Sequence, residues 1–149
     1  MTAAYAAIAN YGVYNEPKLY TKVLDHDGNI LIDNTASASH RVIKESTAWL
    51  LDSALRSVVT DNITFLDSKN MYYAGKSGTS QLNTDKWFIG FSPYYTAGVW
   101  IGNDDSTPVN TNYYTMPQLN IWKDIMEHAH EGLESVSYTH LTLPTTSRV

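Results

Sequence analysis

The chain has 149 residues, of which 43% are hydrophobic and 17% charged, a composition typical of one folded domain rather than a disordered segment. Its formal net charge of −5 argues against a nucleic-acid partner, because phosphate binding requires a basic face. No run approaches the roughly 18 apolar residues of a membrane span, and the absence of cysteine excludes disulfides and thiolate chemistry.

The N-terminal half contains signals for two helices and a hairpin. The stretch "MTAAYAAIANYG" predicts an alanine-rich helix, with Gly12 at the C′ position just past its end. Two β-rich runs between Lys18 and Asp33 flank an Asp-Gly turn, which predicts a β-hairpin. A helix is then predicted over about Glu45 to Val59, where one apolar stripe has helical spacing: Ala48, Leu51, Leu55 and Val58.

Three predicted strands follow in quick succession, at Met71 to Ser80, Lys86 to Phe91 and Thr96 to Asn103. Their connections are too short for parallel crossovers, so we expect an antiparallel meander. A last helix is predicted from about Pro117, with an apolar stripe at Leu119, Trp122, Met126 and Ala129. The order of elements predicts an α/β protein of the α+β type, an antiparallel sheet flanked by helices.

The C-terminal stretch "VSYTHLTLPTTSRV" has no apolar periodicity. It resembles the translation of a sequencing adapter, so we expect residues 1–135 to form the domain and residues 136–149 to be a non-native tail.

One short stretch, Lys76-Ser77-Gly78-Thr79, combines groups that suit a peptide ending in a free carboxylate. On a strand, Lys76 and Gly78 would share one face, and Ser77 and Thr79 the other. Gly78 leaves the backbone bare, so a ligand could add itself as a further strand. The two hydroxyls can donate hydrogen bonds to a carboxylate, Lys76 adds positive charge, and a backbone N–H can face the oxyanion of an attacked carbonyl.

The wider stretch "AGKSGTSQLNTDKWFIGFSPYYTAGVWIGND" resembles the end of a penicillin-binding transpeptidase domain, closest to the bifunctional class A penicillin-binding proteins. Its motifs are the Lys-[Ser/Thr]-Gly strand, Trp-Phe-x-Gly-[Phe/Tyr]-[Ser/Thr]-Pro and Gly-Val-Trp-x-Gly-Asn-Asp. The resemblance covers about Met1 to His130. It implies part of the fold shared by penicillin-binding proteins and serine β-lactamases.

The resemblance also implies roles for individual residues. The family's serine attacks the penultimate D-Ala of a peptidoglycan stem peptide, and a second stem amine accepts the acyl group. Lys76 would support the proton network and the field at the site. Ser77 and Thr79 would bind the carboxylate of D-Ala-D-Ala or of a β-lactam, with Ser80 beside them. The N–H of Thr79 would form half of the oxyanion hole, and Gly78 would let the substrate pair along the strand. No metal or other cofactor is implied.

The chain departs from the family pattern at the nucleophile, which the family carries in Ser-x-x-Lys. The residues three places before the lysines are Asn15, Leu19, Arg41, Leu66, Tyr73, Asn83 and Asn120, none of them serine. Ser68-Lys69-Asn70 matches the family's Ser-x-Asn motif, but it lies so close to Lys76 that we interpret it as coincidence.

We therefore expect a C-terminal fragment that is inactive alone. The nucleophile, the glycosyltransferase domain and the membrane anchor of the parent would lie before Met1, in a protein working at the outer face of the bacterial cell membrane. The missing N-terminal part would then be a partner of this chain.

Two other functions remain open at this stage. One is a non-catalytic module that binds cell-wall peptides along the Lys76 to Thr79 edge. The other is a serine β-lactamase-related fragment, since those enzymes share Lys-Ser-Gly, although the "WFIGFSP" continuation favours a transpeptidase.

Several further residues have ordinary structural interpretations. An aspartate-rich turn is favoured over a metal site at Asp25, His26 and Asp27, and His128 and His130 point to different faces of a helix. Asp85 either caps a turn or orients a loop at the site. Core and sheet-face packing is favoured over a stacking platform for Trp87, Trp100 and Trp122, and a solvated loop over a substrate-groove lining for Tyr113 and Tyr114.

Overall fold

The computed structural model describes residues 1–67, 71–109 and 116–136. Its helices are α1 (Thr2–Ala9), α2 (Glu45–Asn62) and α3 (Pro117–Ala129), with a 3₁₀ turn at Thr64–Leu66. Its strands are β1 (Val13–Asn15), β2 (Lys22–Leu24), β3 (Ile30–Asp33), β4 (Ser39–Arg41), β5 (Ala74–Thr79), β6 (Asp85–Phe91) and β7 (Thr96–Gly102). The predicted α+β arrangement, with antiparallel strands and flanking helices, is confirmed.

The end of α1 differs from the prediction by one position. The left-handed residue at C′ is Tyr11, with φ of 52°, and Gly12 follows at C″ with φ of 85°. The Gly12 N–H donates to the carbonyl of Ala7 at 2.7 Å, the 6→1 bond of a Schellman motif. Glycine is needed here because a Cβ would lie 2.2 Å from the carbonyl oxygen of Ile43.

The predicted hairpin is confirmed as β2 and β3, which pair antiparallel. Asp25 stabilises its turn, because Oδ1 accepts the N–H groups of Asp27 (2.9 Å) and Asn29 (2.8 Å). The aspartate therefore acts in the turn, as interpreted from the sequence. A second pair, β1 with β4, was not predicted and brackets the hairpin in the chain.

The main sheet has three strands in the order β5-β6-β7, all antiparallel, as the short connections predicted. Its register places Gly75 opposite Gly90 and Gly78 opposite Trp87. Because partners across a sheet share a face, the strands present two sets of side chains. The α1 face carries Ala74, Lys76, Gly78, Trp87, Ile89 and Phe91, and the α3 face carries Tyr73, Gly75, Ser77, Thr79, Lys86, Phe88 and Gly90.

The larger core lies on the α3 face, where Trp122 of α3 is fully buried. Its ring meets Phe88 and Tyr73 edge to face, with centroids 5.1 and 5.3 Å apart, and its Nε1–H donates to the carbonyl of Ala97 at 3.0 Å. On the α1 face, Tyr72, Ala74 and Phe91 pack against Tyr5, Ile8, Ala9 and Leu55. The sheet is thus fixed from both sides, and the core role predicted for Trp122 is confirmed.

Some predictions fall on residues that are not described. Outside the described part of the chain lie the Ser-x-Asn match, two tyrosines and most of the tail: Ser68, Lys69, Asn70, Tyr113, Tyr114 and residues 137–149. Val136, the first residue of the predicted tail, forms a parallel bridge with Met71. The division at residue 135 stays a prediction. In the described residues, no helix has the length and apolar character needed to cross a membrane.

Two glycines of β5 offer a matched pair of stability tests. A Cβ at Gly75 would lie 2.7 Å from Phe88 Cζ and 2.9 Å from Gly90 Cα, whereas a Cβ at Gly78 would meet nothing closer than Trp87 Cβ at 3.6 Å. We expect Gly75→Ala to lower the free energy of unfolding by about 2 kcal/mol through overpacking. Gly78→Ala should leave it unchanged or raise it by about 0.5 kcal/mol, because alanine loses less backbone entropy. Urea unfolding followed by tryptophan fluorescence measures both, and equal effects would contradict this account.

Candidate functional site

The strand that carries the predicted site residues, β5, lies at one edge of the sheet. Helix α2 covers the two residues that precede β5. Arg56 Nη1 donates to the carbonyl of Tyr73 at 3.0 Å, and the Tyr72 hydroxyl donates to Asp52 at 2.8 Å. Burial raises the pKa of Asp52, and the Tyr72 bond and the Arg56 charge oppose that rise. Beyond this contact, no strand among the described residues pairs with the outer side of β5, so residues 76–79 form an open edge.

The hydrogen-bond ladder determines which backbone groups face this open edge. The Ser80 N–H donates to the carbonyl of Asp85 at 3.0 Å, so this pair is hydrogen-bonded toward β6. In an antiparallel ladder successive residues alternate, and Gly78 and Lys76 therefore also direct their backbone groups to β6. The backbone groups of Ser77 and Thr79 consequently point outward.

The side chains alternate in the other sense, across the two faces. Ser77 and Thr79 project on the α3 face, while Lys76 and Gly78 belong to the α1 face, as the sequence predicted. Lys76 is exposed, and its Nζ donates to the carbonyl of Ser77 at 2.7 Å. Because that carbonyl points outward, the ammonium lies at the open edge. The structure thus brings together one cation, two hydroxyls and two outward amides.

Ser80 is held differently from the other predicted site residues. Its Oγ accepts the Asp85 N–H at 2.7 Å and lies 2.7 Å from Thr84 Oγ1. The Asp85 carboxylate in turn accepts hydrogen bonds from Thr84 Oγ1 (2.8 Å) and Trp100 Nε1 (3.0 Å). Asp85 therefore organises the β5–β6 turn and anchors the side chain of Trp100 on β7. Of the two roles weighed for it, the turn-capping one is observed.

A match to a family model assigns the chain to a family. The model of the family "Penicillin binding protein transpeptidase domain" matches residues 1–127. The chain belongs to this family. The resemblance stated from the Lys-Ser-Gly strand and its two following strands is confirmed.

Relatives and solved structures agree with this assignment. The chain is 36% identical to penicillin-binding protein 1A of Clostridium acetobutylicum over 135 residues, which is 89% of this chain and 16% of that protein. It is 38% identical to penicillin-binding protein 1A of Clostridium tetani over 141 residues, 90% of this chain and 18% of that protein. The penicillin-binding protein PonA1 from Mycobacterium tuberculosis shares the fold, with a TM-score of 0.80 at 23% identity over 95% of this chain and 40% of that one.

Two features of this transpeptidase domain were not assigned roles from the sequence. Lys86 is buried on the α3 face beside Thr79, and its alternation with Phe88 and Gly90 in "KWFIGF" is the signal that places it there. His130 is also buried, and its Nε2 lies 2.7 Å from Ser92 Oγ.

The Ser92–His130 hydrogen bond links the end of α3 to the β6–β7 turn, and Ser92 is not arranged as a nucleophile. Ser92 Oγ accepts the N–H groups of Tyr94 (3.0 Å) and Tyr95 (3.1 Å), so its own proton is directed to His130. His130 Nδ1 bonds the carbonyl of Met126 at 2.5 Å. His128, by contrast, is exposed, in agreement with the prediction that the two histidines point to different faces.

The hydrogen bonds of Asp85 predict how the β5–β6 turn responds to pH. The hydrogen bonds from Trp100 and then Thr84 hold the pKa of Asp85 below its ordinary value of 3.8. A carboxyl with a depressed folded pKa contributes stability above its unfolded pKa and loses it as the pH falls through the folded pKa. We expect the Trp100 indole N–H resonance to titrate with a midpoint below 3.8, measured by NMR.

The control for this titration is Asp85→Asn, which keeps an acceptor oxygen but does not ionise. That variant should show no midpoint at the Trp100 indole in this range. A wild-type midpoint at or above 3.8 would show that the Asp85 carboxylate gains nothing from its contacts with Trp100 and Thr84.

Proposed function

We propose that this chain supplies the substrate-holding wall of a D,D-transpeptidase that cross-links peptidoglycan stem peptides by serine acyl transfer. The observation that carries the proposal is the open edge of β5, where the outward amides of Ser77 and Thr79 lie beside two hydroxyls and the Lys76 ammonium. Family membership supports the reaction class.

A peptide ending in D-Ala-D-Ala fits this edge as an added strand. The outward backbone groups of Ser77 and Thr79 would pair with the peptide backbone, and their hydroxyls would donate to its terminal carboxylate. The Thr79 N–H would stabilise the oxyanion that develops on the penultimate D-Ala carbonyl. The exposed Lys76 would add a positive field at the same edge. A β-lactam, which carries a carboxylate next to its reactive amide, would occupy the same groups.

The acyl transfer itself requires a nucleophile that the 149 residues do not provide in the family's Ser-x-x-Lys form. In the proposed reaction that serine attacks the penultimate D-Ala carbonyl and the terminal D-Ala leaves with a proton. The acyl-enzyme ester is then attacked by a stem-peptide amine, which releases the serine. The serine would come from the rest of the parent protein, so the chain alone would hold substrate without acylation.

The whole protein's properties also belong to the proposal, because the chain spans 16% to 18% of the two clostridial relatives described above. Following the resemblance to bifunctional class A penicillin-binding proteins, the parent would carry a glycosyltransferase domain and a membrane anchor. It would act at the outer face of the cytoplasmic membrane, and its preceding segment would pack with this chain to complete the site.

A labelled penicillin tests whether the 149-residue chain can be acylated without the rest of the parent protein. We expect no covalent adduct on the purified 149-residue chain after denaturing electrophoresis, because the family nucleophile is absent. A complete class A penicillin-binding protein, labelled under the same conditions, is the positive control. A band on the chain that survives denaturation would show that another residue acts as nucleophile.

The carboxylate contact is tested by Thr79→Val, which removes the hydroxyl and keeps the shape of the side chain. The ligands are N-acetyl-D-alanyl-D-alanine and its C-terminal amide, titrated into the ¹⁵N-labelled chain by NMR. We expect Thr79→Val to weaken binding of the acid by about tenfold, since a charge-assisted hydrogen bond is lost, and to change binding of the amide less.

Thr96→Val is the matched control. Thr96 is a strand threonine at the start of β7, which forms the opposite edge of the sheet from β5. It should leave both affinities unchanged. An equal loss in the Thr79 and Thr96 variants would place the ligand elsewhere on the chain.

A further inference from the structure

Lys86 is buried on the sheet although it carries a charge. Its exposed fraction is 7%, and among the described residues it is the one buried side chain of the Lys, Arg, Asp and Glu types. The neighbouring positions on the same face of β6, Phe88 and Gly90, belong to or adjoin the apolar core under α3. An aliphatic residue would suit this position without a charge to desolvate.

The register places Lys86 directly beside the proposed carboxylate-binding hydroxyls. Lys86 pairs with Thr79 on one side and with Ile101 on the other. Because the Thr79 backbone groups point outward, Thr79 and Lys86 form a non-hydrogen-bonded pair, in which Cβ atoms lie about 4.5 to 5.5 Å apart. Ser77 lies diagonally across on the same face, so both hydroxyls neighbour the lysine.

Burial of Lys86 changes how strongly its charge interacts with other charges nearby. An exposed lysine is screened by water and salt, whereas a covered one interacts with nearby charges through a medium of lower effective dielectric constant. The ordinary alternative is that the aliphatic stem of Lys86 packs on the sheet and its ammonium serves only the contacts it makes within the fold. The two accounts differ in whether the charge affects ligand selection.

We propose that Lys86 is a specificity-determining residue, whose buried charge favours ligands with an anionic C-terminus over neutral ones at the Ser77 and Thr79 hydroxyls. This inference rests on the proposed function, because it concerns the same edge of β5. It adds a second cation, on the opposite face of the sheet from Lys76.

The test uses the full 149-residue chain, with N-acetyl-D-alanyl-D-alanine and its C-terminal amide as probes in NMR titrations. Lys86→Met removes the charge and keeps an unbranched stem, and Lys86→Arg keeps the charge. We expect the ratio of acid to amide affinity to fall about tenfold in Lys86→Met, the size of a lost charge-assisted contact, and to stay within about threefold of wild type in Lys86→Arg.

Lys123→Met is the control for net charge, since Lys123 lies on α3 and pairs with Glu127 at 3.7 Å, away from the edge. It should keep the wild-type ratio. An unchanged ratio in Lys86→Met would overturn the inference and leave the proposed function standing. A wild-type chain that binds neither probe would overturn the proposed function, and this inference with it.

A measurement on the wild-type chain covers the case in which Lys86→Met does not fold. The ¹³Cε resonance of Lys86 should shift when the acid binds and stay in place when the amide binds. Equal responses to acid and amide would show that the lysine does not sense the ligand's carboxylate, and would overturn the inference.

Discussion

Trp122 and Phe88 pack directly onto bare backbone at Gly75 and Gly90, and the geometry of the sheet depends on this contact. The two glycines lie opposite each other across β5 and β6, and a Cβ on Gly90 would stand 2.8 Å from Trp122 Cζ2. A slip of one residue would move Phe88 off the α3 face and bring side chains under the indole. The register is therefore specified by a close approach that only glycine permits. The same register decides that Ser77 and Thr79 turn their amides outward.

An open strand edge is a hazard for a folded domain, because its unpaired amides and carbonyls can pair with a strand of another chain. This domain limits the exposed length. The Arg56 guanidinium and the Tyr72–Asp52 contact place α2 across the start of β5, and the Asp85 turn closes its end. Lys76 puts a charge at the part that remains open. The features that protect the edge also limit the proposed site to about four residues, a length that would suit a short peptide terminus rather than an extended partner strand.

Local patterns predicted most of the elements, and long-range packing explains what they missed. The Asp-Gly hairpin, the two helices predicted from apolar stripes and the antiparallel meander each depend on a few neighbouring residues, and these elements were confirmed. Within the stripes, Leu51 and Ala129 are exposed rather than packed. Pairing of β1 with β4 joins segments separated by the hairpin, so no local signal indicated it. Gly12 was placed one position early because Tyr11 adopts the left-handed conformation that glycine usually takes.

The geometry of the candidate site could be predicted only in part. Alternation along Lys76 to Thr79 gave the two faces, but not which amides face outward, since that depends on which side β6 occupies. Nor could it show that Lys86 is covered, because its burial depends on how the sheet is packed in three dimensions. The hydrogen bond from Trp100 to Asp85 joins positions 15 residues apart on different strands and depends on the complete register.

Lys76 and Lys86 approach the same edge from opposite faces of the sheet, and their environments assign them different physical roles. Lys76 is exposed at the edge, so its field reaches a ligand early in its approach and weakens with ionic strength. Lys86 is buried at the position opposite Thr79 in the register, so its field is short in range and less sensitive to salt. A carboxylate drawn in by the first charge would be selected by the second. Affinity for an anionic terminus at this edge would then retain a component that salt does not remove, which a single exposed lysine could not provide.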